Sequence, residues 1–266
     1  MAGGIGSVMY DGKLIHSARD EFGTIEIVDE ATSRTMHFGS RARQTTMLLR
    51  DSVGLALSYT RCMLSALLFT SAPRSVLMLG LGGGALARFL RYHWPECRIT
   101  VVEKRPLVVE LAREYFALPS DEHFAVHVEA AENFLDDRRA GEYDWIMVDI
   151  HDRDGMAPAL GQPEFFARCQ KRLSGRGVLV ANLWTGDRES LLEGIDRSLH
   201  QVFTGEVLHL PVARKRNTVA FAFNFALPSL EVGLSRRKAT ELEERYGVEF
   251  SQFLWDLMRY NKGLVH

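Results

Sequence analysis

Between Ser75 and Trp184 the chain repeats one unit: a short run of β-forming apolar residues, then a helix-length segment, then another run. The runs are SVLMLGL (75–81), RITVVEK (98–104), FAVHVE (124–129), WIMVDI (145–150) and GVLVANLW (177–184). Helical stretches lie between them at Ala85–His93, Pro106–Phe116, Glu132–Arg139 and Pro163–Leu173, the second opening on a proline, whose missing N–H costs nothing at a helix start. Parallel strands cannot be joined by a tight turn. Strands that alternate with helices therefore predict a parallel sheet covered on both faces.

A further helix is expected over Arg188–Val202, followed by two strands, GEVLHLP (205–211) and NTVAFAFN (217–224), joined by the short basic turn Val212–Arg216. The sheet then has seven strands and ends in an antiparallel pair. Ahead of it, TIEIVDEATSRTMHF (24–38) alternates β-formers around a polar break and predicts a small β-hairpin unit closed by Gly39. Val53–Phe69 carries apolar residues at helical spacing and predicts a buried helix that stops before Ala72-Pro73. Leu234–Tyr260, interrupted by Gly247, predicts helices that cap the core or form a subunit interface. The organisation is thus an N-terminal hairpin unit (1–50), an α/β domain (51–228) and a C-terminal helical segment (229–266).

Composition narrows the partners. Lys plus Arg number 32 against 34 Asp plus Glu, a net charge of -2, so no overall positive field attracts nucleic acid or an anionic membrane. No apolar run approaches the roughly 20 residues that span a bilayer, and Met1–Ser17 lacks the apolar stretch of a secretory signal. A cytoplasmic location is expected. Cys62, Cys97 and Cys169 are far apart, with no C-x-x-C spacing, and are read as buried thiols; no metal is expected.

The chemistry concentrates at Gly80-Leu81-Gly82-Gly83-Gly84-Ala85, directly after a strand and directly before a helix. Glycines there permit a tight turn and a close approach of backbone to ligand, and the helix start supplies free N–H groups. Glu103 ends the second strand about 20 residues further on, where a carboxylate accepts hydrogen bonds from both ribose hydroxyls. These two elements suit NAD as well as an S-adenosyl ligand. The fourth run, WIMVDIHD, brings Asp149 and Asp152 towards the same crevice.

Taken together, QTTM (44–47), SYTR (58–61), VLMLGLGGGALARFL (76–90), VVEKRPLVVELAREYF (101–116), YDWIMVDIHDRDG (143–155) and GVLVANLW resemble the spermidine synthase family, the polyamine aminopropyltransferases. The resemblance implies a Rossmann-like, AdoMet-dependent methyltransferase-type α/β fold with a seven-stranded sheet, and a homodimer. It implies transfer of an aminopropyl group from decarboxylated AdoMet to a diamine, with release of methylthioadenosine. Asp149 matches the first acid of the family's D-[ST]-x-D motif, the general base on the attacking amine, and Asp152 the second. Glu103 matches the acid that holds the ribose, with Gly80, Gly82, Gly83 and Gly84 as the nucleotide loop. Gln44 matches a glutamine ahead of the nucleotide domain, and Tyr59 the tyrosine of the amine pocket.

Four departures qualify this carry-over. Gly83 stands where the family has an acid that grips the donor's ammonium. Arg61 replaces the acid of Y-[HQ]-E, and Glu129-Ala130-Ala131 replaces G-D-[GA]. Ile150-His151 separates the two acids, and His151 is either a participant in proton transfer or a bystander in the loop. Losing an acid at Gly83 while gaining Arg61 favours a donor that keeps its carboxylate, because an Arg–carboxylate pair is strong. Three readings follow: aminopropyl transfer; methyl or aminocarboxypropyl transfer from AdoMet to a substrate other than a diamine; and a catalytically silent nucleotide-binding protein. GMAPALGQ (155–162) has the Gly and Pro of a mobile loop beside the site.

Overall fold

The structure, a computed structural model, describes residues 10–137, 141–152, 155–184, 189–203, 205–227, 231–262 and 264. Strands β1 (Lys13–Asp20), β2 (Gly23–Asp29), β3 (Ser33–His37), β4 (Arg43–Leu48) and β5 (Asp51–Leu55) pair in chain order as an antiparallel sheet. The expected hairpin is β2–β3, with Val28 opposite Thr35, and it forms part of this larger sheet. Ile25, Ile27, Met36 and Met47 bury their side chains against the main core.

The expected helix over Val53–Phe69 is corrected. Its start belongs to β5, and the rest divides into α1 (Ser58–Met63) and a 3-10 turn over Leu64–Leu68. Asp51 Oδ1 accepts hydrogen bonds from the N–H groups of Val53 (3.2 Å) and Gly54 (2.9 Å), a local turn that competes with helix formation. The apolar spacing reports burial correctly but not the backbone that delivers it.

The main sheet contains β6 (Ser75–Leu79), β7 (Arg98–Glu103), β8 (Phe124–Val128), β9 (Tyr143–Val148), β12 (Leu173–Trp184), β13 (Val207–Pro211) and β14 (Asn217–Phe223). Their spatial order is β13-β14-β12-β9-β6-β7-β8, with β14 antiparallel to both neighbours and the other pairs parallel. A two-stranded ribbon, β10 (His151–Asp152) and β11 (Gly155–Met156), follows β9. The connecting helices are α2 (Ala85–His93), α3 (Pro106–Tyr115), α4 (Ala131–Asp136), α5 (Pro163–Arg172) and α6 (Glu189–Val202).

Strand periodicity sends alternate residues to opposite faces. Val76 and Met78 join one core with Phe89 of α2 and Leu111 of α3, while Leu77 and Leu79 join another with Phe166 of α5 and Leu199 of α6. Helices α7 (Val232–Tyr246) and α8 (Phe250–Tyr260) close the first core, bending at Gly247, whose φ of 64° is left-handed. Tyr246 Oη accepts a hydrogen bond from Trp94 Nε1 at 3.0 Å, and Phe250, Leu254 and Leu257 are buried. Cys62, Cys97 and Cys169 are free and buried, which pushes the thiols of Cys62 and Cys97 up to about 12 and about 11. Among the described residues no helix is long and apolar enough to cross a membrane.

Arg105 fastens the N-terminal sheet to the main one. Its guanidinium donates to both carboxylate oxygens of Asp20, at 2.9 and 2.8 Å, and lies over the Phe38 ring at 4.6 Å. Burial pushes the Asp20 carboxyl up, but the hydrogen bonds and charge of Arg105 outweigh it and hold the carboxyl below its usual value. A carboxyl depressed in the folded state stabilises above its unfolded pKa, and that contribution is lost as the pH falls through the folded one. Arg105→Ala is expected to lower stability at neutral pH by about 3 kcal/mol, the low end for a buried pair because Asp20 keeps some water. Urea midpoints measured from pH 7 to pH 3 test this, with the wild type losing more stability on acidification than the variant.

Candidate functional site

Strand order locates the site. The chain leaves central β6 outward through β7 and β8, then returns to β9 on the other side of β6. At such a switch the carboxyl ends of the strands border a crevice. A cleft of about 520 Å³ opens there.

One wall is the β6–α2 loop. Gly80 has a φ of 96°, and a Cβ there would overlap the carbonyl oxygen of Asp149, so only glycine lets the two strand ends approach. Gly80 and Gly82 line the cleft. Gly83 and Gly84 do not line it. A Cβ on Gly83 would overlap Thr45 Cγ2, one on Gly84 would press on Leu118, and the Gly83 carbonyl accepts a hydrogen bond from buried Arg88. In this loop a Cβ at position 83 would run into Thr45 and Phe116.

Glu103 stands at the end of β7 and lines the cleft. Its two oxygens accept hydrogen bonds from the backbone N–H of Leu81 (3.1 Å) and of Arg105 (3.0 Å). Burial pushes the carboxyl up, the two backbone bonds and the neighbouring Arg105 and Lys104 offset part of that, and the net position is above the ordinary value. Each oxygen of a carboxylate can accept more than one hydrogen bond, which leaves capacity for a pair of hydroxyls. Glu129 and Glu132, flanking Ala130-Ala131, also line the cleft, as does an apolar group of Val102, Ile150, Leu160 and Phe165. The segment after Met156 contributes to that group through a 3-10 turn over Pro158–Gly161.

Asp149 follows β9 and gathers side chains from several elements. Its Oδ2 accepts from Tyr59 Oη of α1 at 3.0 Å, and its Oδ1 accepts from Asn182 Nδ2 of β12 at 2.9 Å. Burial and the charge of Asp149 push the Tyr59 phenol well above its ordinary value, so Tyr59 remains a donor. Gln44 lines the cleft from β4, and its backbone carbonyl lies 3.5 Å from the Tyr59 hydroxyl. Asn182 and Asn217, with Trp184 and Lys215 beside them, complete this end. Sequence reasoning missed both asparagines. The available signal was a polar Asn182 inside the otherwise apolar run GVLVANLW, which invites the question of its partner.

Arg61, expected as a substrate contact, does not line the cleft. Two residues along a helix lie about 200° apart, so Tyr59 and Arg61 leave α1 on opposite sides. Arg61 Nε bonds Glu249 at 2.9 and 3.1 Å, and its Nη1 bonds the carbonyls of Leu55 (2.8 Å) and Ala56 (3.3 Å). His151 and Asp152 form β10, and their side chains lie outside the described residues. Among the described residues no cluster of His, Cys, Asp and Glu is arranged to hold a metal ion.

Comparison with known proteins agrees with this architecture. A family profile, the spermine/spermidine synthase domain, matches residues 57–211. A polyamine aminopropyltransferase of Chromobacterium violaceum is 36% identical over 240 residues, 90% of each chain. A probable spermidine synthase from Corynebacterium glutamicum superposes with a TM-score of 0.72 at 20% identity, covering 85% of this chain and 87% of that one. A spermidine synthase in complex with the transition state analogue AdoDATO gives 0.66 at 20% identity, covering 90% and 85%. These two likenesses concern the fold.

The state of Glu103 generates a prediction about nucleosides. Ionised, it offers both oxygens to a ribose; protonated, it converts one of them into a donor. Because its carboxyl sits above the ordinary value, methylthioadenosine affinity measured by calorimetry is expected to fall while the pH is still above the usual carboxylate range. Glu103→Gln should bind about tenfold more weakly and lose that pH dependence. A wild-type affinity constant from pH 7 to pH 4 would remove Glu103 from the ribose site.

Proposed function

Because the chain belongs to the spermine/spermidine synthase family, we propose that it moves an aminopropyl group from decarboxylated AdoMet to a small amine and releases methylthioadenosine. It is a transferase. The observation that carries the reading is Asp149, held by two donors at the cleft with its carboxylate beside the nucleotide loop.

Glu103 takes the ribose, Gly80 and Gly82 let the backbone lie against the donor, and Val102, Ile150, Leu160 and Phe165 flank the base. The acceptor must attack as a neutral amine. Its lone pair forms the new N–C bond to the aminopropyl carbon as the C–S bond breaks, and that pair of electrons neutralises the sulfonium to a thioether. The nitrogen becomes an ammonium, and Asp149 accepts the proton it sheds. Tyr59 holds the acid without competing for the proton. Fixing donor and amine in one cleft supplies the rest of the acceleration.

The case for a donor carrying a carboxylate rested on the acid lost at Gly83 together with the cation gained at Arg61, and the second half weakens because the Arg61 guanidinium is committed to Glu249 and to two backbone carbonyls. With that cation elsewhere, the decarboxylated donor fits the family chemistry better.

Two measurements test the proposal. Asp149→Asn keeps the size of the side chain and removes the base, so turnover should fall ~10²- to 10⁴-fold while methylthioadenosine affinity stays within about twofold. Unchanged turnover would show that the base lies elsewhere. Calorimetry with the two sulfonium donors should give tighter binding of decarboxylated AdoMet, and a preference for AdoMet would reassign the transferred group.

A further inference from the structure

We propose that Asn182 and Asn217 form a directional side-chain relay that aims the Asp149 carboxylate and favours its ionised state. Both are positioning residues, and the inference rests on Asp149 being the base. Asn182 is 2% exposed, inside a strand whose neighbouring residues are Val180, Ala181 and Leu183. An amide buried there destabilises the fold unless its hydrogen bonds are made.

The sheet register makes them. In the antiparallel pair β12–β14, Asn182 stands opposite Val219 and Trp184 opposite Asn217, so Asn182 and Asn217 are diagonal neighbours on one face. Asn182 Nδ2 donates to Asp149 Oδ1 at 2.9 Å, and Asn217 Nδ2 donates to Asn182 Oδ1 at 2.9 Å. The direction is fixed by chemistry. An ionised carboxylate only accepts, so Asn182 must turn its NH₂ towards Asp149 and its oxygen towards β14. That oxygen needs a donor, and Asn217 supplies one. Without it, Asn182 is free to rotate its amide and offer Oδ1 to Asp149, an arrangement that suits only the protonated acid. Tyr59 holds the other oxygen, so the relay acts on the edge of the carboxylate that Tyr59 does not reach.

The test compares Asn217→Ala, Asn217→Asp and Asp149→Asn in the full chain, assayed with decarboxylated AdoMet and putrescine across pH. Asn217→Asp keeps the volume but reverses the polarity, since a carboxylate there attracts the Asn182 NH₂ away from Asp149. Asn217→Ala is expected to lower kcat about tenfold, in line with losing support for a hydrogen bond to a charged group, with methylthioadenosine affinity unchanged. The acid limb of the kcat/KM profile should move to higher pH, because a carboxylate with fewer donors ionises less readily, and it should move further in Asn217→Asp. If Asp149→Asn is inactive but both Asn217 variants keep the wild-type pH profile, the relay is wrong and the base stands. A raised KM for putrescine with an unmoved profile would also overturn it, making Asn217 an acceptor contact. Turnover surviving in Asp149→Asn would remove the base and the relay together.

Discussion

Gly80 and Asp149 meet so closely that no Cβ fits between them, and the cleft is organised around that approach. The backbone ladder enforces it: Asp149 N–H bonds the Leu79 carbonyl at 2.9 Å, and Gly80 N–H bonds the Val102 carbonyl at 2.9 Å. Three strand ends are thereby clasped together. Glu103 and Asp149 hang from the two outer ones, so their separation is set by ladder spacing rather than by loop conformation. A two-substrate transfer benefits from that, because small displacements of a base or a donor reduce rate steeply.

Around this clasp the nearby cations are largely committed. Arg105 is held by Asp20, Arg43 by Glu30, and Arg61 by Glu249. Arg88, 5% exposed, donates to the carbonyls of Ser52, Gly83 and Phe116. Desolvation lowers its pKa to about 10, which still leaves it charged at neutral pH. It serves as a cross-brace between β5, the glycine loop and the end of α3.

Much of this was legible in the chain itself. Alternating runs after Pro73 specified the layers, because strand–helix alternation has few other solutions, and the closing pair β13–β14 was readable from the short turn at 212–216. Glu103 and Asp149 were placed at the cleft by their strand ends as well as by the family motif, whereas Tyr59 came from the motif alone. The surroundings of Arg61 were not readable because a motif is linear and a helix is not: two residues past Tyr59 lies the opposite side of α1. The packing at Gly83 was not readable because a glycine's open side has no signature until its neighbours, Thr45 and Phe116, arrive from elsewhere in the chain. Asn182 and Asn217 are 35 residues apart and meet only through strand register, which no local pattern encodes.

The strand order divides labour across the cleft. On the proposed reading, the donor meets the ends of β6 and β7 and an apolar wall that includes the segment after β9, while the acceptor end is built from β12, β14 and α1, with Asp149 at the seam. The acceptor wall can therefore drift by substitution without disturbing nucleoside recognition. A lineage built on this plan has a route to new amines that never passes through loss of its sulfonium donor, a form of modularity written into the winding of the sheet.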